Sequence, residues 1–268
     1  MKTQEVYTLI TGASMGLGKE LAIECARRGR NLILVALPGR NLEQLCAELE
    51  HKFGILAVAR ECDLTNEREL DFLADGILSN YAVDQLINNA GIGGTARFEE
   101  STPEYLDRII HLNIRATTML IHKLLPELKS HPKALIMNIS SVAAFGPLPF
   151  KTIYPASKAF IYSFSRSLGR ELRNTGVRVV VVTPGPIVTN PDVALRLIKQ
   201  GALGRLGLLT AGEITRLALD GAEKGKQVIV PGFINVLNRF LGRFTPESWR
   251  LSLMDRVLQK ELTEQVKI

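Results

Sequence analysis

A tyrosine and a lysine four residues apart, Tyr154 and Lys158, have the side chains and the spacing for acid–base chemistry. On a helix this spacing puts both side chains on one face, one turn apart. A phenol has a pKa of about 10, which is poorly matched to neutral pH, and a nearby ammonium group would stabilise the phenolate. The pair therefore predicts a proton donor and acceptor tuned by a positive charge. A chance pairing at helical spacing is the alternative.

A glycine-rich turn, Thr-Gly-Ala-Ser-Met-Gly-Leu-Gly at residues 11–18, follows the first apolar stretch and opens a helical pattern. Gly12 would permit a tight turn, Gly16 would let the backbone approach phosphates, and Gly18 would let helix and strand pack closely. Together with the dipole of the helix N-terminus, this order predicts a pyrophosphate site, a plain strand-to-helix turn being the alternative. The predicted contact residues are Gly12, Ser14, Met15, Gly16, Leu17 and Gly18.

Seven short apolar, β-branched stretches alternate with longer segments of helical period. The predicted strands are 6–10, 31–37, 55–60, 85–88, 134–139, 177–182 and 227–230, and the predicted helices are 16–28, 42–53, 67–80, 103–128, 155–174 and 210–223. Since a continuously apolar strand must be covered on both faces, the sheet is predicted to be mostly parallel. Right-handed crossovers then give an α/β, doubly wound, Rossmann-like fold with its ligand crevice beyond the carboxyl ends of the strands. Thr65 and Thr102 are the predicted N-caps of two helices.

The chain is predicted to consist of one nucleotide-binding catalytic domain, 1–232, and an amphipathic helical extension, 233–268. In the extension, Ile234, Leu237, Leu241 and Phe244 share one helical stripe, and a second helix starts at residues 245–247. Packing across the pocket mouth or against a subunit, peripheral contact with a membrane, and simple cover of the core are open alternatives. Packing is the commonest outcome.

The composition excludes several classes of protein. With 46% hydrophobic and 22% charged residues, the chain is globular rather than disordered. Its net charge of +6 is dispersed among acids, which argues against nucleic-acid binding. Cys25, Cys46 and Cys62 lack metal-ligand spacing, so buried thiols and no metal site are predicted. Because the sequence has no spanning apolar stretch and no signal-peptide pattern, we expect a cytoplasmic protein.

The motifs at the strand ends occur in the order typical of the short-chain dehydrogenases/reductases. They are Thr-Gly-x-x-x-Gly-x-Gly at 11–18, Asn-Asn-Ala-Gly at 88–91, Asn113, Ser-Ser at 140–141, Tyr154-x-x-x-Lys158 and Pro-Gly at 184–185. Residues 5–232 resemble that family, which implies hydride exchange between a nicotinamide dinucleotide and a carbonyl or alcohol. The resemblance also implies a homodimer or homotetramer formed through the long helices 103–128 and 155–174.

The resemblance implies roles for individual residues. Tyr154 would donate and accept the proton, and Lys158 would tune the phenol and bind the nicotinamide ribose. Ser141 would donate a hydrogen bond to the substrate oxygen, and Ser140 would cap the backbone or support Ser141. Asn113 would support a water chain to the lysine. The other implied cofactor contacts are Asp63 and Leu64 at the adenine, Asn89, Ala90 and Gly91 at its ribose, and Pro184, Gly185, Ile187 and Thr189 at the nicotinamide and diphosphate. A helix cap is an alternative or additional role for Asp63.

The end of the second strand bears on which nicotinamide cofactor is used. Residues 35–40 contain no acid that would repel a 2′-phosphate, and the guanidinium of Arg40 suits one, so NADP(H) is favoured over NAD(H). Two departures from the family pattern weigh against this. Residues 37–39 displace the arginine usually found directly after the strand, and Met15 stands where a basic residue is often found.

These observations predict an NADP(H)-dependent reductase of hydrophobic ketones, aldehydes, oxoacyl or hydroxysteroid-like compounds. An apolar, glycine-punctuated segment at 189–210 is a candidate lid over the substrate. A non-catalytic NADP(H)-binding sensor or scaffold with the same fold is the alternative, and the complete Asn, Ser, Tyr and Lys set speaks against it.

Overall fold

A computed structural model of the chain describes residues 5–188, 208–241 and 244–265. Its strands are β1 (Val6–Thr11), β2 (Asn31–Ala36), β3 (Ala57–Glu61), β4 (Ala82–Asn88), β5 (Ala134–Ile139), β6 (Val177–Val182), β7 (Ile187–Val188), β8 (Leu209–Thr210) and β9 (Val228–Ile229). Its α-helices are α1 (Gly16–Arg27), α2 (Leu42–Phe53), α3 (Glu67–Asn80), α4 (Pro103–Ile110), α5 (Thr117–Ser130), α6 (Ile153–Glu171), α7 (Ala211–Glu223), α8 (Phe233–Leu241) and α9 (Glu247–Gln265).

The predicted doubly wound fold is confirmed. Seven strands form one parallel sheet in the order β3-β2-β1-β4-β5-β6-β9, and β7 and β8 pair in a separate two-stranded sheet. The strand order reverses between β1 and β4, so the crossovers on either side diverge there. A crevice opens at such a point beyond the carboxyl ends of the strands.

Helices bury apolar side chains against both faces of the sheet. Leu21 of α1, Leu45 of α2 and Ile214 of α7 belong to the cluster on one face. On the other face, Leu73 of α3 and Leu124 of α5 pack against the strands. Burial of each such side chain contributes about 1.5–3 kcal/mol, so the two layers fix the strand ends rigidly relative to each other. The three cysteines are free and buried, as predicted.

The predicted helix 103–128 is wrong in its middle. The structure divides it into α4, a π-helical turn from His111 to Ala116, and α5. A single π turn is too short to appear as a change in the apolar period of a helical segment of this length, so the sequence does not reveal it.

One of the two predicted N-caps is also wrong, by a single residue. Thr102 caps α4 as predicted, and its hydroxyl accepts from the backbone N–H of Tyr105 at 3.3 Å. For α3 the cap is Asn66, whose side chain accepts from the N–H groups of Arg68 and Glu69. Thr65 does not cap this helix because its hydroxyl donates instead to Asp63, at 2.7 Å.

The apolar stripe of the C-terminal extension faces away from the domain, so packing against a subunit and contact with a membrane stay open. Ile234, Leu237, Leu241 and Phe244 are exposed in the described chain. The extension touches the domain through other side chains. Arg250 of α9 donates to the carbonyl of Phe145 at 3.4 Å, Leu258 is buried, and Asn235 is buried on the inner side of α8.

Candidate active site

Four strand ends deliver the candidate residues to one crevice. The glycine turn follows β1, residues 89–94 follow β4, Ser140 and Ser141 follow β5, and Pro184 and Gly185 follow β6. Because parallel strands present their carboxyl ends at the same edge, these segments converge beside the first turns of α6, which carries Tyr154 and Lys158.

Tyr154 and Lys158 face the same space. The Lys158 Nζ lies 5.7 Å from the centroid of the Tyr154 ring. Lys158 is buried and donates to the carbonyl of Ile139, at the end of β5, at 2.9 Å. The hydroxyl of Ser140 donates to the Lys158 carbonyl at 2.7 Å and so ties this turn of α6 to β5. The lysine is therefore held in one position from both its backbone and its ammonium group.

The electrostatics of the pair differ from the expectation that the ammonium stabilises the phenolate. Burial raises the pKa of the Tyr154 phenol above its ordinary value of 10.0, and a hydrogen bond with Ser141 opposes this only in part. Burial also lowers the pKa of Lys158 from 10.5 to about 8. Desolvation disfavours the charged form of each group and outweighs the neighbouring interactions. The pair as folded favours a neutral phenol.

Ser141 stands between Tyr154 and the 3₁₀ turn Val142–Phe145. Its backbone is extended, and its hydroxyl oxygen accepts from the N–H of Ala143 at 3.1 Å. That bond fixes the oxygen and leaves the hydroxyl proton to be donated. Ser141 and Tyr154 are hydrogen-bonded, so two O–H groups converge at one point, which suits the oxygen of a carbonyl substrate.

Asn113 lies in the π turn and is almost completely buried. Its Nδ2 donates to the carbonyl of Ile92 and to the hydroxyl of Ser157, both at 2.9 Å, and its Oδ1 accepts from the N–H of Ile92 at 2.9 Å. A Cβ added to Gly91 would lie 3.1 Å from this Oδ1 and 3.2 Å from the Lys158 Nζ. Asn113 thus anchors the loop after β4 beside the lysine. The water chain stays a prediction.

The glycine turn has the backbone that its sequence predicts. Gly12 and Gly16 have φ values of +65° and +55°, and a Cβ on Gly18 would lie 1.9 Å from the Gly12 carbonyl oxygen. Asn89 braces the turn, since its Nδ2 donates to the carbonyls of Thr11 and Gly12 at 3.0 and 3.1 Å. The Thr11 hydroxyl oxygen accepts from the N–H groups of Asn89 and Ala90. The turn and the end of β4 form one rigid unit.

The N-terminus of α1 fits a diphosphate. Its N-cap, Met15, provides no side-chain hydrogen bond, and the first turn contains no acid. The side chains of Asn66, Thr102 and Thr210 cap α3, α4 and α7, whereas α2 and α6, like α1, have no side-chain cap. The free N–H groups of α1 and its dipole can therefore bind the phosphates of a dinucleotide. Ser14 and Leu17 flank these donors in the turn and in the first turn of the helix.

The ends of β2 and β3, where the resemblance implies the adenosine would lie, hold an acid that sequence reasoning missed. Glu61, the last residue of β3, accepts from the N–H of Gly39 at 2.9 Å, next to the exposed Arg40. Leu64 is buried, and Asp63 accepts from the N–H and hydroxyl of Thr65. Glu61 is 24 positions after the end of the predicted second strand, so only the pairing of β2 with β3 could have revealed it.

The segment after β6, which the resemblance implies would contact the nicotinamide, is only partly described. The Pro184 carbonyl accepts from the N–H of Val142 at 2.9 Å, and Ile187 begins β7. A Cβ on Gly185 would lie 2.6 Å from the amide of Asn235, so this glycine is needed for α8 to approach. Thr189 and most of the candidate lid, residues 189–207, lie outside the described residues.

Gly93 is a second residue that the sequence analysis did not select. A Cβ there would lie 2.4 Å from Cδ2 of the Tyr154 ring, so the bare glycine backbone forms the surface on which the ring rests. The run of glycines at 91, 93 and 94, directly after the Asn-Asn-Ala motif, was a signal for this close approach. Ser157, which accepts from Asn113, had no comparable signal.

Comparisons with known proteins agree with this geometry. Residues 7–197 match the family model described as short chain dehydrogenase. 17-beta-hydroxysteroid dehydrogenase type 3 of Mus musculus is 33% identical over 192 residues, which cover 70% of this chain and 62% of that protein. Very-long-chain 3-oxoacyl-CoA reductase of Phaeosphaeria nodorum is 31% identical over 262 residues, covering 90% and 73% of the two chains. A solved short-chain dehydrogenase from Sphingobium yanoikuyae in complex with NADPH is 30% identical, covers 94% and 95%, and superposes with a TM-score of 0.77.

Proposed function

Because this chain belongs to the short-chain dehydrogenase family of oxidoreductases, we propose that it reduces the carbonyl group of a hydrophobic ketone, aldehyde or oxoacyl compound with NADPH. The observation that carries the proposal is the convergence of Tyr154, Ser141 and Lys158 beside the glycine turn. The relatives named for a hydroxysteroid and for a very-long-chain oxoacyl-CoA support a carbonyl on a large apolar skeleton.

Tyr154 donates the proton and Ser141 stabilises the substrate oxygen, while a bound nicotinamide dinucleotide would supply the hydride. Burial keeps the pKa of Tyr154 high, so its phenol holds a proton at neutral pH. That proton is available to the substrate oxygen as negative charge develops there during reduction. Ser141 donates to the same oxygen and stabilises the charge while the proton moves.

Lys158 orients both partners of this reaction. With a pKa of about 8 it remains an ammonium at neutral pH. An ammonium has three N–H donors, and the Ile139 carbonyl takes one of them. The others can bind the ribose of the cofactor and thereby hold the nicotinamide next to Tyr154. Asn113 keeps the loop after β4 in place on the other side.

NADPH rather than NADH is proposed on the basis of Arg40, since the uncapped N-terminus of α1 would bind the diphosphate that both cofactors contain. Arg40 is the first cation in the sequence after the end of β2, where a 2′-phosphate would lie, and the solved relative from Sphingobium yanoikuyae is in complex with NADPH. Glu61 opposes the preference because its carboxylate sits at the same strand end. We therefore expect a selectivity for NADPH that depends on the balance of these two charges.

The experiment that tests the proposal follows the absorbance of NADPH at 340 nm with a panel of hydrophobic ketones, aldehydes and oxoacyl thioesters. The Tyr154→Phe variant should lose about 10²–10⁴-fold in kcat, because it keeps the ring and removes the proton. It should still bind NADPH with the affinity of the wild type. Tyr162→Phe is the matched control, since Tyr162 lies on the same helix and its ring contacts Phe145.

The same assay tests the cofactor. Arg40→Ala should reduce kcat/KM about tenfold with NADPH and leave it unchanged with NADH, and Glu61→Gln should raise it with NADPH. If the wild type binds NADPH but turns over no member of the panel, the reductase proposal fails and a sensor or scaffold role takes its place. Equal effects of Arg40→Ala on both cofactors would contradict the proposed phosphate contact.

A further inference from the structure

Helix α8 presents its apolar face to solvent and a polar side chain to the protein. Asn235 is 4% exposed, and its Nδ2 donates to the carbonyl of Pro231 at 2.8 Å. The apolar residues cover an arc of about 160° on the opposite side. Their exposed fractions are 79% for Phe233, 37% for Ile234, 47% for Val236, 41% for Leu237, 56% for Phe240 and 51% for Leu241. A helix that only covered the core would be turned the other way.

The exposed face continues beyond α8. Phe244 is 73% exposed and meets the ring of Phe240 edge to face, with 5.2 Å between the centroids. Trp249, at the start of α9, is also 73% exposed. We call the surface formed by Phe244 and the apolar residues of α8 the outer patch, and Trp249 lies five residues after it in the sequence. An aromatic-rich patch of this extent on a single chain marks a site of association.

The charge of this segment indicates what covers the patch. Residues 233–250 contain three arginines, at positions 239, 243 and 250, and one acid, Glu247, within a chain of net charge +6. A second copy of the chain seated on the same surface would bring two segments of net positive charge together. Anionic lipid headgroups above an apolar phase complement both the arginines and the exposed rings.

The length of α8 decides how it would meet a bilayer. Its nine residues extend about 13 Å, less than half of the hydrocarbon thickness of about 30 Å. Among the described residues, no helix is long and apolar enough to span a membrane. Only an orientation in the plane of the interface puts the whole apolar arc in contact with lipid, and Phe and Trp side chains are typical of that depth.

We propose that the outer patch binds the surface of an anionic phospholipid membrane, with α8 lying in the interface. The patch is also close to the candidate active site. Asn235, on the inner side of α8, contacts Gly185 after β6, and Arg250 of α9 contacts the carbonyl of Phe145, four residues after Ser141. Membrane binding would therefore bring the crevice near the bilayer, where an apolar carbonyl compound is concentrated. This consequence, unlike the binding itself, rests on the proposed function.

Trp249 is the chain's one tryptophan, is exposed and lies five residues after Phe244, so its fluorescence is a probe of the contact. Vesicles of phosphatidylglycerol and phosphatidylcholine should shift its fluorescence emission to shorter wavelength and cosediment with the protein. Vesicles of phosphatidylcholine alone should bind more weakly. Raising the salt from about 0.1 M to about 1 M should weaken binding to the anionic vesicles, because the screening length falls from about 10 to about 3 Å. No cofactor or substrate is needed, so the result does not depend on catalysis.

A matched pair of variants tests the assignment to the outer patch. Phe233→Ser should lower the vesicle partition coefficient about tenfold. Phe72→Ser should leave it unchanged, because Phe72 is equally exposed, at 83%, but lies on α3. The proposal is overturned if the wild type does not bind anionic vesicles or if both variants weaken binding alike. It is also overturned if sedimentation shows that Phe233→Ser dissociates an oligomer, since the patch would then bind a second copy.

Discussion

At the scale of single residues, the candidate site combines two groups, Tyr154 and Lys158, whose charged forms are destabilised by burial. The sequence predicted the identity and spacing of Tyr154 and Lys158, because a helix fixes the separation of residues four positions apart. It did not predict that the pKa of the phenol would be raised, because desolvation depends on neighbours such as Gly93 that come from another strand end. Glu61 was not predicted either, because it comes near the end of β2 only through the pairing of β2 with β3.

Lys158 leads to a prediction about stability. Its folded pKa of about 8 is below the unfolded value of 10.5. Below pH 8 both states are protonated and the full cost of burying the charge is present. Between pH 8 and 10.5 the unfolded chain holds more protons, so the stability of the wild type rises with pH, and above 10.5 the cost is gone. Lys158→Met should therefore be more stable than the wild type at pH 7, by on the order of 2 kcal/mol.

Urea denaturation at pH 7 and pH 10 measures this difference, which should shrink at the higher pH. Lys129→Met is the control, because Lys129 is exposed in the last turn of α5 and its replacement should change stability by less than about 0.5 kcal/mol. The variant at 158 should also lose reductase activity. A Lys158→Met protein that is less stable than the wild type at pH 7 would mean that the ammonium stabilises the fold.

At the scale of helices and strands, the sequence predicted best where a pattern is long. The bounds of β5, β6, α2 and α3 agree with their predicted ranges to the residue. Strands β7 and β8 contain two residues each, too few to show any periodicity, and were not predicted. The π turn around Asn113 keeps the helical pattern and was hidden by it. Local signals therefore identify elements well and their irregularities poorly.

The cap of α3 is an irregularity with a measurable consequence. Asn66→Ala removes the acceptor for the N–H groups of Arg68 and Glu69 and should lower the free energy of unfolding by about 1 kcal/mol. Ser79→Ala, near the other end of the same helix, is the control. Ser79 is exposed and bonds only within the helix, to the Asp75 carbonyl, so its loss should not destabilise the protein. Thermal unfolding of both variants, followed by circular dichroism, distinguishes the two outcomes.

If Asn66→Ala were as stable as the wild type, another group would have to satisfy these N–H donors. Asp63 is the nearest alternative, and it is occupied by the N–H and hydroxyl of Thr65. The sequence analysis chose Thr65 because threonine before an acid is a common cap. Thr65 and Asn66 are both suited to cap α3. Because the Thr65 hydroxyl is bonded to Asp63, Asn66 is the residue that caps the helix.

At the scale of the whole molecule, the sequence predicted the fold class and the edge of the sheet that carries the site, because both follow from the alternation of strands and helices. It did not predict which face of α8 is buried. An amphipathic pattern gives the width of an apolar stripe but not the direction in which it points. The cytoplasmic location stays a prediction. The homodimer or homotetramer also stays a prediction, and the exposed apolar residues of α4 and α6 indicate where its subunit contact can be tested.

The helices expected to form the subunit contact expose apolar side chains of their own. Phe160 of α6 is 40% exposed and stacks on Phe164, with centroids 5.8 Å apart, and Ile110 at the end of α4 is 39% exposed. If two copies meet through these helices, Phe160→Glu should convert the oligomer to monomer, because two like charges would be buried at a symmetric interface. Sedimentation velocity at micromolar concentration measures the change.

Two further variants separate this interface from the other exposed surfaces. Phe72→Glu introduces the same charge at a more exposed position on α3 and should leave the oligomer intact. Phe233→Ser should also leave it intact, since the outer patch is assigned to lipid. Phe160→Glu should bind anionic vesicles as the wild type does, because the change lies outside α8 and α9. If the wild type is a monomer, or if Phe160→Glu remains associated, the subunit contact does not lie on α4 and α6.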